Sequence, residues 1–356
     1  MLYMLSIAVN GYGTIGKRVA DAVAIQPDMQ VVGVAKRRPN AVAAVAADRG
    51  YPLFVPDEES RDAFEAAGFD DVGAIDEMID ACDVVVDATP GGVGASYLPT
   101  YRAYNTPAIL QGKEADDAVE TSFCARANYE NAVGASAVRV VSCNTTALAR
   151  AIAPLRDRFG VEHVSATLVR RGGDPAQSER GPIDDIVPDP VTIPSHHGPD
   201  AQTVLGPVPI TTVAMKVPTT LMHVHTVEIT LGGTPSRSDV LDVFGAERRI
   251  YLMPERIGID GIAQIREHGR DRGRPRGDVW ESCVWEGSVT VTGDRLHFVQ
   301  AVHQESNVIP ENIDAIRAIT GTADAETSMR RTDRSLGVGA WETQSQRRPV
   351  AAAPRE

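Results

Sequence analysis

Lysine is nearly absent from this chain. Only Lys17, Lys36, Lys113 and Lys216 occur in 356 residues, and arginine supplies the remaining positive charge. Asp and Glu outnumber Lys and Arg by 48 to 35, a formal net charge of −13. That balance argues against a nucleic-acid partner, since phosphate backbones need a basic patch. Few lysines beside many carboxylates suit a cell with a salty interior, where acidic surfaces keep proteins hydrated. A GC-rich coding bias toward Arg and Ala yields part of the same pattern. Cysteine is also sparse, at positions 82, 124, 143 and 283, with no CxxC or other metal-ligand spacing. Such usage fits a reducing cytoplasm and leaves any special cysteine as a free thiol. No apolar run is long enough to span a bilayer, so no membrane partner is expected. The opening MLYMLSIAVNGYG carries neither a basic leader nor a cleavage-type site and reads as a first strand entering a glycine turn.

What is present is α/β patterning. Through residue 142, short apolar runs (LSIAVN, QVVGVA, DVVVDAT, PAIL, VRVVS) alternate with helical stretches such as TIGKRVADAVAI and DDAVETSFCARANYENA. This alternation predicts a Rossmann-type parallel sheet with strands buried on both faces. After Phe159 the runs HVSATLVRR, MHVHTVEITL and SVTVTGDRLHFVQAV are longer and rich in β-branched residues. They predict a second, α+β domain with a mostly antiparallel sheet. The chain exceeds one ordinary core. We divide it into a nucleotide-binding domain at 1–142, a catalytic domain at 143–304, a helical segment returning to the first domain at 305–339, and a disordered tail at 340–356. PENIDAIRAITG supplies that helix, with Pro310 close to its start. The Pro-rich segment 181–209 is expected to be one long ordered loop, a kind of segment that usually carries function.

Gly11, Gly13 and Gly16 in NGYGTIG have the GxGxxG spacing, between a strand and a helix of a βαβ unit. Gly11 allows the tight turn, Gly13 lets backbone approach a pyrophosphate, and Gly16 permits close helix packing. Thr14 and Ile15 complete the turn. An NAD-specific fold would place an acid at the end of the second strand. Here VVGVAKRRPN offers Lys36, Arg37 and Arg38 instead, which suits the extra phosphate of NADP, with Lys36 the better placed. Exposed charge runs are commonly solvated and uninvolved, and Arg38 reads equally well that way.

Cys143 lies between the strand VRVVS and a helix beginning NTTALARAI. A thiol there meets unsatisfied N–H groups and the positive end of a helix dipole, which favour the thiolate. The same N–H groups, with Asn144, could hold an oxyanion on an attacked carbonyl. The plain alternative is a capped helix with an incidental cysteine, Ser, Asn and Thr serving only as caps. The other three cysteines read as small apolar residues.

SCNTT at 142–146 together with NGYGTIGKRVADA resembles the archaeal type of glyceraldehyde-3-phosphate dehydrogenase. VRRGGDPAQ, PSHHGPD, VPTTLMHVHTVE, HQESNVIPENIDAIRA and ETSMRRTDRSLG agree, in order, across residues 5 to about 339. The resemblance implies a phosphorylating, NAD(P)-dependent oxidoreductase, with Cys143 as nucleophile and His223 as general base. A base near neutral pH is also what the chemistry asks for, and histidine is its natural source. Alternation places His225 on the same face, where it reads as a core histidine. The resemblance further implies Arg171, Gly112 and Gln304 near the cofactor. It sets His197 and Gly198 at the substrate, and Ser142, Asn144, Thr145, Arg170 and His196 are further candidates for the substrate or the attacking phosphate. Arg170 and Arg171 can fork onto such anions, or instead pair at the surface with Asp174 or Glu179. The implied partners are glyceraldehyde 3-phosphate and inorganic phosphate, the cofactor NADP or NAD, and the assembly a homotetramer. The histidine pairs 196/197 and 223/225 lack partners at zinc spacing, so no metal is expected. A semialdehyde dehydrogenase or acyl-phosphate reductase is the nearest rival enzyme. A nucleotide-sensing protein without catalysis is the rival from another class.

Overall fold

The computed structural model describes residues 4–111, 113–173 and 181–341. Nearly all of the expected disordered tail lies outside those residues. The first half of the chain builds an eight-stranded sheet from β1 (Leu5–Asn10), β2 (Met29–Ala35), β3 (Leu53–Val55), β4 (Gly73–Ala74), β5 (Val84–Asp87), β6 (Ala108–Gln111), β7 (Thr121–Phe123) and β8 (Ala137–Val140). Their order is β4-β3-β2-β1-β5-β6-β8-β7, and every pairing is parallel. Crossovers run through α1 (Gly16–Ala24), α2 (Ala41–Asp48), α3 (Glu58–Ala66), α4 (Ile75–Asp80) and α5 (Val93–Ala103). Runs such as Val84–Val86 are fully buried, as a sheet covered on both faces requires.

One expected helix is not there. DDAVETSFCARANYENA forms a 3₁₀ turn, the edge strand β7 and the four-residue α6 (Ala125–Asn128). Tertiary contacts outweigh local helix preference. The Ser136 N–H donates to Glu120 at 2.8 Å, and the Arg139 guanidinium donates to the Ser122 hydroxyl at 2.7 Å.

From Ser142 the chain enters α7 (Cys143–Phe159) and then a second sheet. Its strands are β9 (Val161–Arg171), β10 (Val187–Pro188), β11 (Ile210–Val217), β12 (His223–Leu231), β13 (Ile250–Met253), β14 (Ser282–Trp285), β15 (Thr290–Thr292) and β16 (Arg295–Val302). Five ladders are antiparallel and two, β9/β11 and β13/β14, are parallel, so this sheet is mixed. The segment 181–209 is not loop throughout. It closes with α8 (His197–Leu205), whose Ala201, Val204 and Leu205 recur at helical spacing and bury beside Leu148 and Ile152 of α7.

Helices α9 (Arg237–Ala246) and α10 (Ile262–Asp271) flank the second sheet, and α11 (Ile309–Ile319) and α12 (Ala325–Leu336) follow. Ile309, Ile313, Ile316 and Ile319 of α11 pack into the core of the first sheet with Val19 and Val23 of α1. A buried ion pair, Arg150 to Glu311 at 2.6 Å, ties α7 to α11. Strand β8 belongs to the first core and the apolar side chains of α7 to the second. Cys143 therefore sits at the seam of the two.

Candidate active site

Two strand-to-helix turns open at the carboxyl edge of the first sheet, where ligands of open α/β sheets bind. In the first, β1 to α1, Gly11 has a φ of +93°, and a Cβ there would lie 2.8 Å from the Ala88 and Thr89 backbone. A Cβ on Gly16 would lie 2.1 Å from the Gly11 carbonyl oxygen, so the helix can close on the strand only without one. A Cβ on Gly13 would meet nothing within 4 Å: this glycine faces open space. Ile15 caps α1 with no side-chain hydrogen bond, so the helix start is shaped by backbone. At the end of β2, the half-buried Lys36 donates to the Tyr12 carbonyl at 3.2 Å, and burial holds its ammonium below the ordinary range. Arg37 and Arg38 are exposed. Open backbone at a helix N-terminus, with no acid after β2, is a cradle that fits a dinucleotide phosphate. Gly112 lies outside the described residues.

In the second turn, β8 to α7, side chains fill the space. The Ser142 hydroxyl accepts the Thr145 N–H at 3.4 Å and sits 2.9 Å from the Thr145 hydroxyl, which donates to Asp200. Asp200 also receives Arg139 at 2.7 Å. Cys143 is the first residue of α7 and is half-buried. Its carbonyl accepts from the Asn307 amide at 2.8 Å. Its sulfur lies 3.6 Å from His223 Nε2. Burial pushes the other thiols up, Cys82 to about 12 and Cys124 and Cys283 in the same direction.

His223 opens β12 and is buried. The main-chain N–H of Arg171, at the end of β9, donates to its Nδ1 at 3.1 Å. A neutral ring that accepts at Nδ1 carries its hydrogen on Nε2, so the ring presents N–H to the sulfur. Desolvation, then the neighbouring His225, Arg170 and Arg171, hold His223 well below the usual imidazole range. The ring is neutral at physiological pH.

Asn144 lies between two further histidines. Its Oδ1 is 2.9 Å from His225 Nε2 and its Nδ2 is 3.2 Å from His197 Nε2. His197 continues to the Ser195 hydroxyl at 3.1 Å, and its neighbour His196, exposed, lies tilted against it with ring centroids 3.9 Å apart. Both ring nitrogens of His197 are thus engaged inside the protein. Gly198 donates its N–H to Thr212 at 3.0 Å, and a Cβ there would press within 2.9 Å of the Ile210 carbonyl. Arg170 pairs with Asp189, which also holds Lys216 at 3.1 Å, while the Arg170 Nε is buried with no partner among the described residues. The expected acids Asp174 and Glu179 lie outside the described residues. The Gln304 amide accepts from Met222 N–H at 2.7 Å and donates to the Thr220 carbonyl at 3.3 Å, bracing the turn that leads into His223.

Cys143, His223, Asn144, His197, Ser142, Thr145 and the Arg171 backbone thus meet at one place, with Ile15 of the first turn and Cys143 packed on the same core. Ser195, Thr212, Gln300, Asn307, Asp189 and Asp200 were not found by reading the chain. Ser195 and Asp200 lie in PSHHGPD and Asn307 in HQESNVIPENIDAIRA, but nothing local assigns them a role, and all but Ser195, two positions from His197, meet their partners only through the fold. Among the described residues no cluster of His, Cys, Asp or Glu is arranged to hold a metal, and no helix is long and apolar enough to cross a membrane.

Comparison with known proteins returns one family model, described as the glyceraldehyde 3-phosphate dehydrogenase C-terminal domain, over residues 142–268. Proteins named glyceraldehyde-3-phosphate dehydrogenase are similar over nearly the whole chain. That of Haloarcula marismortui is 56% identical over 337 residues, covering 94% of this chain and 95% of its own. That of Halobacterium salinarum is 55% identical, with 94% and 100% covered. That of Methanoregula boonei is 48% identical, with 94% and 97% covered.

Proposed function

The chain belongs to the glyceraldehyde-3-phosphate dehydrogenase family, and from that membership we propose that it oxidises glyceraldehyde 3-phosphate through a thioester on Cys143 and releases 1,3-bisphosphoglycerate. The observation that carries the site assignment is the Cys143 sulfur at a helix start, 3.6 Å from a buried neutral imidazole. The thiol proton leaves to solvent, and the helix N-terminus favours the resulting thiolate. The sulfur adds to the aldehyde carbon, and the carbonyl oxygen becomes an alkoxide. His223 Nε2–H and an N–H of Asn144 are the donors we assign to that oxygen. A nicotinamide held by the cofactor residues assigned below would supply the hydride acceptor, and as hydride leaves the carbon the alkoxide closes to the thioester carbonyl. Inorganic phosphate then attacks the same carbon, and thiolate leaves, received again by His223 Nε2–H. One proton is released overall. The resemblance implies His223 as a base. The Arg171 N–H on Nδ1 leads us to read it as a hydrogen-bond donor throughout, since Nε2 has no free lone pair while that bond stands.

Gly11, Gly13, Thr14, Ile15 and Gly16 are the residues we assign to the pyrophosphate, Lys36 to an NADP phosphate, and Gly112, Arg171 and Gln304 to the remainder of the cofactor. His196 and Arg170 are our candidates for the substrate phosphates. We place the enzyme in the cytoplasm, in glycolysis or gluconeogenesis, as a homotetramer. Support for assembly comes from the loop 183–193, where Ile183, Ile186, Val191 and Ile193 are 89%, 61%, 80% and 63% exposed.

Oxidation of glyceraldehyde 3-phosphate with NADP and with NAD, with phosphate present and absent, tests the reading. Turnover requiring phosphate, faster with NADP, and reduced on the order of 10⁴-fold or more in Cys143→Ser is expected. Phosphate-independent formation of the free acid would sink the phosphorolysis step.

A further inference from the structure

Asn144 and five further side chains make a single buried chain of hydrogen bonds, whose direction follows from where one hydroxyl places its hydrogen. The Thr212 hydroxyl donates its only hydrogen to the Ser195 carbonyl at 3.0 Å. With its hydrogen placed there, it accepts from the Ser195 hydroxyl, 2.8 Å away, and from the Gly198 N–H at 3.0 Å. Ser195, having spent its hydrogen, accepts from His197 Nδ1–H at 3.1 Å. His197 is neutral, with burial as the first cause and its pKa lowered to about 2. Its Nε2 is consequently bare and accepts from Asn144 Nδ2 at 3.2 Å. That turns Asn144 Oδ1 to His225, whose Nε2–H donates at 2.9 Å. His225 is neutral as well, lowered to about 3 by burial and then Arg170. Its bare Nδ1 accepts from the Gln300 amide at 3.2 Å, the residue paired with it across β12 and β16. All six residues are buried, none more than 2% exposed. With the Thr212 hydrogen on the Ser195 carbonyl, each link follows from the one before it, and the two histidines are opposite tautomers.

We propose that Gln300, His225, His197, Ser195 and Thr212 are positioning residues that lock the Asn144 amide in one orientation, so that its second Nδ2–H serves the oxyanion formed beside Cys143. An amide flipped by 180° would put a carbonyl oxygen where a donor is required. Such a flip would set like against like at both His197 and His225. The chain forbids the flip from two sides, and neutral rings do it without adding charge beside a thiolate. This inference rests on the thioester reading above. It also reassigns His197, from contacting substrate to holding the residue that does.

Thr212→Val removes the hydroxyl that sets the direction while keeping the volume, and Thr212→Ser keeps the hydroxyl. Gln300→Leu opens the other end. Thr212→Val and Gln300→Leu are each expected to lower kcat on the order of 10²-fold, the loss typical of a misplaced oxyanion donor. KM for the aldehyde should stay within about twofold, and Thr212→Ser should stay near the parent. Equal kcat in Thr212→Val and the parent, or an equal fall in Thr212→Ser, overturns the proposal. Neutron diffraction from the parent protein gives a readout independent of activity and of how the variants fold. Hydrogen on His225 Nε2 and on His197 Nδ1 is expected, and hydrogen on His197 Nε2 or on His225 Nδ1 defeats the idea. If the parent does not oxidise the triose phosphate, the functional reading fails while the neutron map still decides the chain.

Discussion

The molecule uses the same device twice, a parallel strand turning into a helix at one edge of one sheet, and finishes it in opposite ways. The β1–α1 turn is defined by what is missing. Gly16 admits the helix because it has no Cβ, and Gly13 leaves its surroundings open. The β8–α7 turn is defined by commitments, with Ser142, Asn144 and Thr145 each bonded to a named partner. β5 and β6 separate the two strands in the sheet, which puts the turns about 14 Å apart at the usual strand spacing. A large ligand that brings its own phosphates needs bare backbone. A covalent step on a small aldehyde needs fixed donors. On the roles proposed for the two turns, the contrast follows from the two tasks.

The sharpest way to break this comparison is to change what the second turn offers. His223→Gln can place an amide N–H near the position of Nε2 and a carbonyl oxygen near the Arg171 N–H. His223→Ala offers neither. If His223 acts as a donor, single-turnover hydride transfer should fall by about 10²–10³-fold in the alanine variant and stay within about tenfold of the parent in the glutamine variant. If both fall equally, His223 takes up a proton in the step, and the donor reading is wrong.

A smaller effect is expected at the first turn, and it should divide between two glycines. Gly13→Ala should leave stability unchanged, since its Cβ meets nothing, and raise the cofactor KM about tenfold by filling the place where backbone approaches phosphate. Gly16→Ala forces an overlap with the Gly11 carbonyl and should cost about 1–3 kcal/mol of stability, seen in urea unfolding. Should Gly13→Ala destabilise and Gly16→Ala prove silent, the turn is held by something other than these close approaches.

The same contrast explains what could be read from the chain alone. Gly11, Gly13 and Gly16 were legible because the physics of the first turn is local, and spacing records it. Cys143 and His223 were legible through position and resemblance. The commitments of the second turn were not. His197 reads as a substrate ligand in HHGPD, and nothing near it in sequence announces that Asn144, 53 positions earlier, takes one of its nitrogens. Arg171 was expected to contribute a guanidinium, yet its backbone N–H is what sets the tautomer of His223. The helix expected over 116–132 failed for the same reason, because Glu120 and Ser122 are held by residues of β8 and its approach.

The two turns should also part company in acid. His197 and His225 stay neutral in the fold, lowered by burial to about 2 and about 3, and burial holds His223 and His303 down as well, His303 to about 3, whereas in the unfolded chain histidines titrate near 6.5. The unfolded state therefore binds protons the folded state cannot, and stability is lost as pH falls below about 6.5. It is fully present above that value. Each ring costs up to about 1.4 kcal/mol per pH unit until its folded pKa is reached. Carboxylates add their own losses only below about 4.5. The first turn contains no imidazole, so NAD affinity there has no reason to follow. Urea unfolding and NAD binding measured at pH 7.5, 6.5 and 5.5 should show stability falling while affinity stays level. A flat stability profile would mean the buried rings are not held neutral. Affinity falling in step with stability would mean the two turns are coupled, and the division of labour drawn here would have to be given up.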